Sequence, residues 1–260
     1  MINRTLPTDL IQLKQNKQGF SMLTAYDALI AQLLESCNIS CILIGDSLGN
    51  VFAGHNSTIP VTLEHMIYHC QAVSRATSKS LLIADMPFMS TQISLEKAKE
   101  NAGKLIQQGG VQAVKIEVFS DSDIDSIAAI LNCGIPVLAH LGLTPQSVYQ
   151  LGGYKKQAKD QESENLLISR AKRLCKMGCF AILLECIPDL LAKKLQSLLA
   201  IPIIGIGSGK YCDAQVLVTQ DLLGFNAKPV PSFVKTYASL YKTAQDAIKS
   251  FDQDTKNNTV

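Results

Sequence analysis

The stretch Cys41-Ile42-Leu43-Ile44-Gly45-Asp46 decides the fold, because it is an unbroken apolar run that stops at a carboxylate. Its length is that of a strand, and its lack of polar alternation is that of a parallel strand covered on both faces. The same ending recurs along the chain: Asp85 follows Leu81-Leu82-Ile83-Ala84, Glu117 follows Val114-Lys115-Ile116, and Glu185 follows Ala181-Ile182-Leu183-Leu184. In parallel α/β folds the C-terminal ends of the strands face one site. Carboxylates delivered there from separate strands would repel one another, which favours a bound cation.

The intervening segments read as helices. Leu10 and Leu13 suggest an N-terminal helix closing the bottom of a barrel, and Phe20 to Thr24 a first short strand. Thr62 stands as an N-cap before Leu63, Met66, Ile67, Cys70 and Val73, and Ser94 before Leu95, Ala98, Ala102, Leu105 and Ile106. Gly109-Gly110 reads as a left-handed end to the second of these helices. The acidic stretch Ser120 to Asp125 opens another helix, and Ile135 to His140 is the next strand. Residues 141 to 165 lack periodicity and predict a long loop, a lid or part of a pocket rim. A helix from about Glu164 to Met177 ends at Gly178, and Pro188 opens the next one. Ile201 to Ile206 is a seventh strand, with Asp221 to Gly224 the candidate eighth.

At 260 residues, seven or eight such units favour a (β/α)8 TIM barrel with an N-terminal helix over a doubly wound sheet. A single domain over residues 1–251 is expected, with the polar tail 252–260 frayed. The formal charge of +2, from 24 basic and 22 acidic residues, creates no field that would draw nucleic acid or an anionic membrane, so small molecules are the expected partners. None of the eight cysteines forms a Cys-x-x-Cys pair, and they read as reduced packing thiols. No run approaches the roughly 18 apolar residues of a membrane span, and a cytoplasmic location is expected.

Asp46, Asp85 and Glu117 offer only oxygen, the donor that suits Mg²⁺. Each could instead cap a following helix. Lys115 lies two residues before Glu117, so both point to one face of the strand; it could hold a substrate carboxylate or a structural ion pair. Ser47 could donate to the same anion or simply start a helix. Glu185, from a distant strand, is a candidate general base, with His140 the other. Gly205-Ile206-Gly207-Ser208-Gly209-Lys210 has the look of a phosphate loop but lacks its spacing, and close-turn rim glycines explain it as well.

Beyond single motifs, Thr24-Ala25-Tyr26-Asp27, Gly45-Asp46-Ser47-Leu48-Gly49, Ala84-Asp85-Met86-Pro87-Phe88, Val114-Lys115-Ile116-Glu117, His140-Leu141-Gly142-Leu143-Thr144-Pro145-Gln146-Ser147, Gly152-Gly153-Tyr154-Lys155 and Leu184-Glu185-Cys186 together resemble the 3-methyl-2-oxobutanoate (ketopantoate) hydroxymethyltransferase family. The resemblance runs in order from about residue 20 to 235. It implies a TIM barrel of the phosphoenolpyruvate/pyruvate superfamily, assembled as a homodecamer. It also implies transfer of a one-carbon unit from 5,10-methylenetetrahydrofolate to 3-methyl-2-oxobutanoate, through a Mg²⁺-stabilised enolate, giving 2-dehydropantoate for pantothenate and coenzyme A. On that resemblance Asp46, Asp85 and Glu117 bind Mg²⁺, Asp46, Ser47, Asp85 and Lys115 bind the oxoacid, and Glu185 accepts the proton. The alternatives are a carbon–carbon lyase of the same superfamily, which would not need folate, and a non-catalytic oxoacid-binding ring protein.

Overall fold

The computed structural model describes residues 4–227 and 229–259. Eight parallel strands close into a barrel in sequence order: β1 (Phe20–Thr24), β2 (Cys41–Ile44), β3 (Leu81–Asp85), β4 (Ala113–Glu117), β5 (Val137–Gly142), β6 (Ala181–Glu185), β7 (Ile203–Ile206) and β8 (Ala214–Leu217). The helices are α1 (Pro7–Gln15), α2 (Ala28–Ser36), α3 (Leu48–Val51), α4 (Leu63–Arg75), α5 (Leu95–Gln107), α6 (Asp121–Leu131), α7 (Val148–Leu151), α8 (Gln161–Met177), α9 (Asp189–Leu198), α10 (Thr219–Leu222) and α11 (Leu240–Lys256). Local chemistry sets several helix starts, as expected. Thr62 accepts from the His65 N–H at the head of α4, and Ser94 from the Lys97 N–H at the head of α5.

Alternation along the strands builds the interior. Met22, Cys41, Leu43, Leu81, Ile83, Ala113, Leu138, Ala181, Leu183, Ile204 and Ala214 form one buried cluster, and Leu10 of α1 joins it. The N-terminal helix therefore plugs the lower end, as its leucines suggested. Side chains two residues apart on a strand share a face. Continuing the core positions upward by that step reaches Asp85, Lys115, Glu117, His140 and Glu185, so the face that is greasy below becomes charged above.

Several expectations are corrected. The eighth strand is Ala214–Leu217, not Asp221 to Gly224; the latter region forms the short helix α10, and exposed Gln215 interrupts the apolar run that would have marked β8. β5 runs to Gly142, so His140 lies within the strand rather than at its end. Residues 141–165 are not one loop: they hold the end of β5, a 3₁₀ turn at Pro145–Ser147, α7, and the start of α8. Only Gly110 of the Gly109-Gly110 pair has positive φ, and Gln108 is the C-cap of α5.

The chain divides into two compact units, Met1–Val216 and Leu217–Val260. Within the second unit α11 continues to Lys256, into the stretch expected to fray, and none of its residues is buried. Backbone donors of Tyr237, Leu240 and Tyr241 reach the carbonyls of Leu222, Leu223 and Gly224. Every residue of the site described next lies in the first unit.

Candidate active site

Six side chains meet where strands β2 to β6 end. Asp46 turns inward just beyond β2, and its backbone N–H donates to Asp85 Oδ2 at 2.9 Å. A Cβ on Gly45 would lie 2.8 Å from Ser47 Oγ and 3.4 Å from Asp85 Oδ2, so glycine gives the two polar groups room to converge. Lys115 Nζ stands 2.8 Å from Asp85 Oδ1 and 4.0 Å from Glu117 Oε1. The alternative of a structural ion pair is thus realised, yet one ammonium serves three carboxylates. Neither Asp46 nor Asp85 caps a helix with its side chain. Ser47 occupies the N-cap of α3 without a side-chain cap bond, and its hydroxyl pairs instead with that of buried Tyr26 at 2.8 Å.

The sequence reading gave no role to Gln146, in the 3₁₀ turn after β5. Its side chain donates to Asp46 Oδ2 at 2.8 Å and to the Met86 carbonyl at 3.0 Å, and its backbone N–H donates to Glu117 Oε2 at 2.9 Å. Thr144-Pro145 carried a readable helix-start signal, with proline at the first helical position. What the following side chain reaches could not be read from it.

His140 fills the space between the acids and Glu185. Nδ1 lies 3.4 Å from Lys115 Nζ, and Nε2 lies 3.4 Å from Glu185 Oε2. Burial, and then the neighbouring Lys115 charge, hold the imidazole well below its usual pKa, so it is neutral. An ammonium can only donate, so Nδ1 accepts and the ring proton sits on Nε2, on the side of Glu185. His140 is therefore poorly suited to be the base, which leaves Glu185. Burial pushes that carboxyl up to about 7, with Lys115 opposing and Asp85 adding to the rise.

Two devices fix the backbone around Glu185. Gly142 has φ +99°, and a Cβ there would lie 2.3 Å from the Glu185 carbonyl, so only glycine fits. Ser208, fully buried, donates to the Leu184 carbonyl at 2.8 Å and accepts from the Ile187 N–H at 3.3 Å, bracketing Glu185 and the positive-φ Cys186. Two glycines of the Gly205 to Lys210 segment are explained by packing: a Cβ on Gly205 would meet Cys212 Sγ at 2.6 Å, and one on Gly209 the Asp189 Cβ at 2.4 Å. The Gln157 N–H donates to the Cys186 carbonyl at 2.8 Å, pinning the segment after β5 beside Glu185. Tyr154 of that segment has its phenol pushed up by burial and then by the charges of Glu185, Asp46 and Glu117.

The electrostatics of the acids follow from one deficit of positive charge. Burial, then Asp85, raises the Asp46 carboxyl; burial, with Asp46 and Asp85 adding and Lys115 opposing, raises Glu117 well above the carboxylate range. Burial alone would lower Lys115, but Asp85, Glu117 and Asp46 outweigh it and raise it. Asp85 Oδ1, although beside Lys115, is buried without a hydrogen bond in good geometry. Among the described residues, no three His, Cys, Asp or Glu side chains are arranged to hold a metal ion by themselves. An all-protein cage is therefore not what these residues build. The all-oxygen donor set and its excess of negative charge over the single Lys115 ammonium fit a hard cation that keeps water and takes oxygens from a substrate.

Comparison with known proteins gives the family. Among solved structures, phosphonopyruvate hydrolase in complex with oxalate and Mg++ superposes with a TM-score of 0.65 at 13% identity, covering 99% of this chain and 88% of that one. 2,3-dimethylmalate lyase, a PEP mutase/isocitrate lyase superfamily member, superposes with a TM-score of 0.63 at 15% identity, covering 97% and 85%. At such identities the likeness is one of fold, a TIM barrel. Among curated sequences, a 3-methyl-2-oxobutanoate hydroxymethyltransferase from Thermoanaerobacter sp. (strain X514) is 49% identical, over 93% of this chain and 88% of the relative. Another of that name, from Caldicellulosiruptor saccharolyticus, is 46% identical over 98% and 96%. A profile described as ketopantoate hydroxymethyltransferase matches residues 4–260, and on this and the relatives' identity the chain belongs to the ketopantoate hydroxymethyltransferase family of transferases.

Proposed function

We propose that the chain transfers a hydroxymethyl group from 5,10-methylenetetrahydrofolate to 3-methyl-2-oxobutanoate, giving 2-dehydropantoate, with Glu185 as the base and a Mg²⁺ held by Asp46, Asp85 and Glu117. The observation that carries this reading is the constellation itself: three buried carboxylates around a single lysine, with a fourth, Glu185, set apart behind a neutral histidine. Lys115 would hold the carboxylate of the oxoacid, helped by the Ser47 hydroxyl and by Asp46 and Asp85 through the shared cation. What a bound Mg²⁺ would supply is Lewis-acid polarisation of the keto oxygen, worth several kcal/mol.

Glu185 must then take the proton from C3. Its raised pKa, about 7, makes it a better proton acceptor than an ordinary carboxylate while leaving about half of it ionised at neutral pH. The neutral His140, with Nε2 3.4 Å from Glu185 Oε2, puts no competing charge beside that carboxylate. Water releases the one-carbon unit from folate as formaldehyde, both of its C–N bonds breaking and tetrahydrofolate leaving. The electron pair left at C3 then adds to that carbon, and the resulting alkoxide takes a proton back from Glu185 to become the new hydroxymethyl group, while the segment around Tyr154 would cover the pocket. We place the enzyme in the cytoplasm as a homo-oligomer, a decamer on the family resemblance. Among the described residues no helix is long and apolar enough to cross a membrane.

Exchange of the C3 proton in deuterated water tests the reading, because it isolates deprotonation from transfer. With oxoacid and Mg²⁺ but no folate, the wild type should exchange without forming product, and product should appear only when methylenetetrahydrofolate is added. Cleavage of a 2-hydroxy acid without folate would instead establish the lyase reading, and absence of both reactions the non-catalytic one.

A further inference from the structure

We infer that Gln146 is a positioning residue for the cation site: from the turn after β5 it fixes the orientation of Asp46 and Glu117, and thereby sets how tightly the site holds a divalent ion. The inference rests on the Mg²⁺ reading above. Gln146 is 7% exposed, and both its side chain and its backbone are committed to the acids. The amide Nε2 has two N–H donors, and its two contacts, Asp46 Oδ2 and the Met86 carbonyl, use both. The backbone N–H lies in the first turn of a helical segment, where donors have no intrahelical partner, and the Glu117 carboxylate takes it. One residue thus ties together chain leaving β2, β3 and β4.

The consequence is geometric. Gln146 engages one oxygen of Asp46 and one of Glu117, so the other oxygen of each is directed rather than free to turn. A carboxylate already oriented loses less freedom when an ion arrives, and the two donated hydrogens offset part of the repulsion between acids crowded around a single lysine. Partners that orient metal ligands typically change affinity about 10–100-fold when removed. A residue that merely filled space would change stability and leave affinity alone.

The test uses the full-length protein and Mg²⁺ alone as the probe, with binding measured by calorimetry. Q146L keeps the volume and the backbone N–H to Glu117 but removes both side-chain donors; Q146M does the same with a more adaptable side chain, so that one of them reports if the other fails to fold. The expected result is a Mg²⁺ dissociation constant about 10-fold or more weaker than wild type. Activity titrated with Mg²⁺ should need correspondingly more metal and recover to within about threefold of the wild-type kcat at saturation. Wild-type affinity in a folded variant, with only the melting temperature lowered, overturns the inference while leaving the Mg²⁺ reading intact. No Mg²⁺ binding by the wild type overturns both.

Discussion

Two lysine–aspartate pairs lie within the barrel unit, one partly and one fully buried, and they do different things. Near the plugged end, Lys14 of α1 meets Asp213 at 2.9 Å. Lys14 also donates to the Gln196 carbonyl, and Asp213 accepts from the Gln196 side chain and the Ile203 N–H. One positive charge faces one negative charge, and both are saturated. At the mouth, Lys115 meets Asp85 Oδ1 at 2.8 Å, but Asp46 and Glu117 crowd the same ammonium, and His140 Nε2 is left without a hydrogen bond. The difference teaches that burial of an ion pair does not mark a site; a surplus of unsatisfied charge does. The lower pair joins a helix to the barrel, and the upper one is short of the positive charge that a cation and substrate would bring.

The largest effect should come from E185Q, which keeps the shape of the base and removes its function. Exchange at C3 should fall about 10²–10⁴-fold, with Mg²⁺ affinity within about twofold of wild type. Wild-type exchange in this variant would move the base elsewhere.

Next in size is a direct contest between the two pairs. D213N strands the Lys14 charge among saturated neighbours and should cost about 3 kcal/mol in unfolding, with kcat unchanged and no relief from Mg²⁺. K115M should cost less stability, because the acids it leaves behind can take up protons, yet it should abolish measurable oxoacid binding. Denaturant unfolding paired with oxoacid titration separates the two outcomes; equal behaviour of the variants would erase the distinction drawn here.

A smaller effect concerns pH. Burial raises the folded-state pKa of Glu185 to about 7, and Asp46 and Glu117 are raised as well. The metal-free folded chain therefore holds protons that the unfolded chain has already released. That contribution to stability is complete below about pH 4 and is lost as pH rises toward about 7. The melting temperature of the metal-free protein should fall between about pH 5 and pH 8, and Mg²⁺ should reduce the fall. C3 exchange should show the opposite slope, rising with pH to a plateau above about 7 as Glu185 ionises. The smallest effect is expected of S208A, which leaves the Ile187 N–H and Leu184 carbonyl without the hydroxyl that bridges them. About 1 kcal/mol of stability should be lost, with C3 exchange within about fivefold of wild type.

What could be read from the chain divides along the same lines as the two pairs. The strand-end acids were legible because each closes an apolar run, and the period of two then placed Lys115 with Glu117. The plug was legible from Leu10. β8 was not, because Gln215 and Asp213 break its pattern: Asp213 is drawn into the lower ion pair, a demand of the fold rather than of the strand. Gln146 was invisible for a related reason. Its neighbours Asp46 and Glu117 are 100 and 29 residues away, and no local pattern records a hydrogen bond across that distance. The start of α8 was placed late because the Asp160 side chain, which accepts from the Ser163 N–H, caps a first turn that is polar throughout. Ser47 likewise sits where a capping hydroxyl would, and only the Tyr26 hydroxyl opposite shows that it is turned elsewhere.

A crystal soaked with Mn²⁺ and 3-methyl-2-oxobutanoate, measured for anomalous scattering, shows whether the charge surplus at the mouth exists for one divalent ion shared with the oxoacid. The expected result is a single strong peak among Asp46, Asp85 and Glu117, each bound directly or through one water, with the oxoacid oxygens completing the shell and Lys115 on its carboxylate. A peak elsewhere, or an oxoacid bound at the mouth with no ion between it and the three acids, would contradict it.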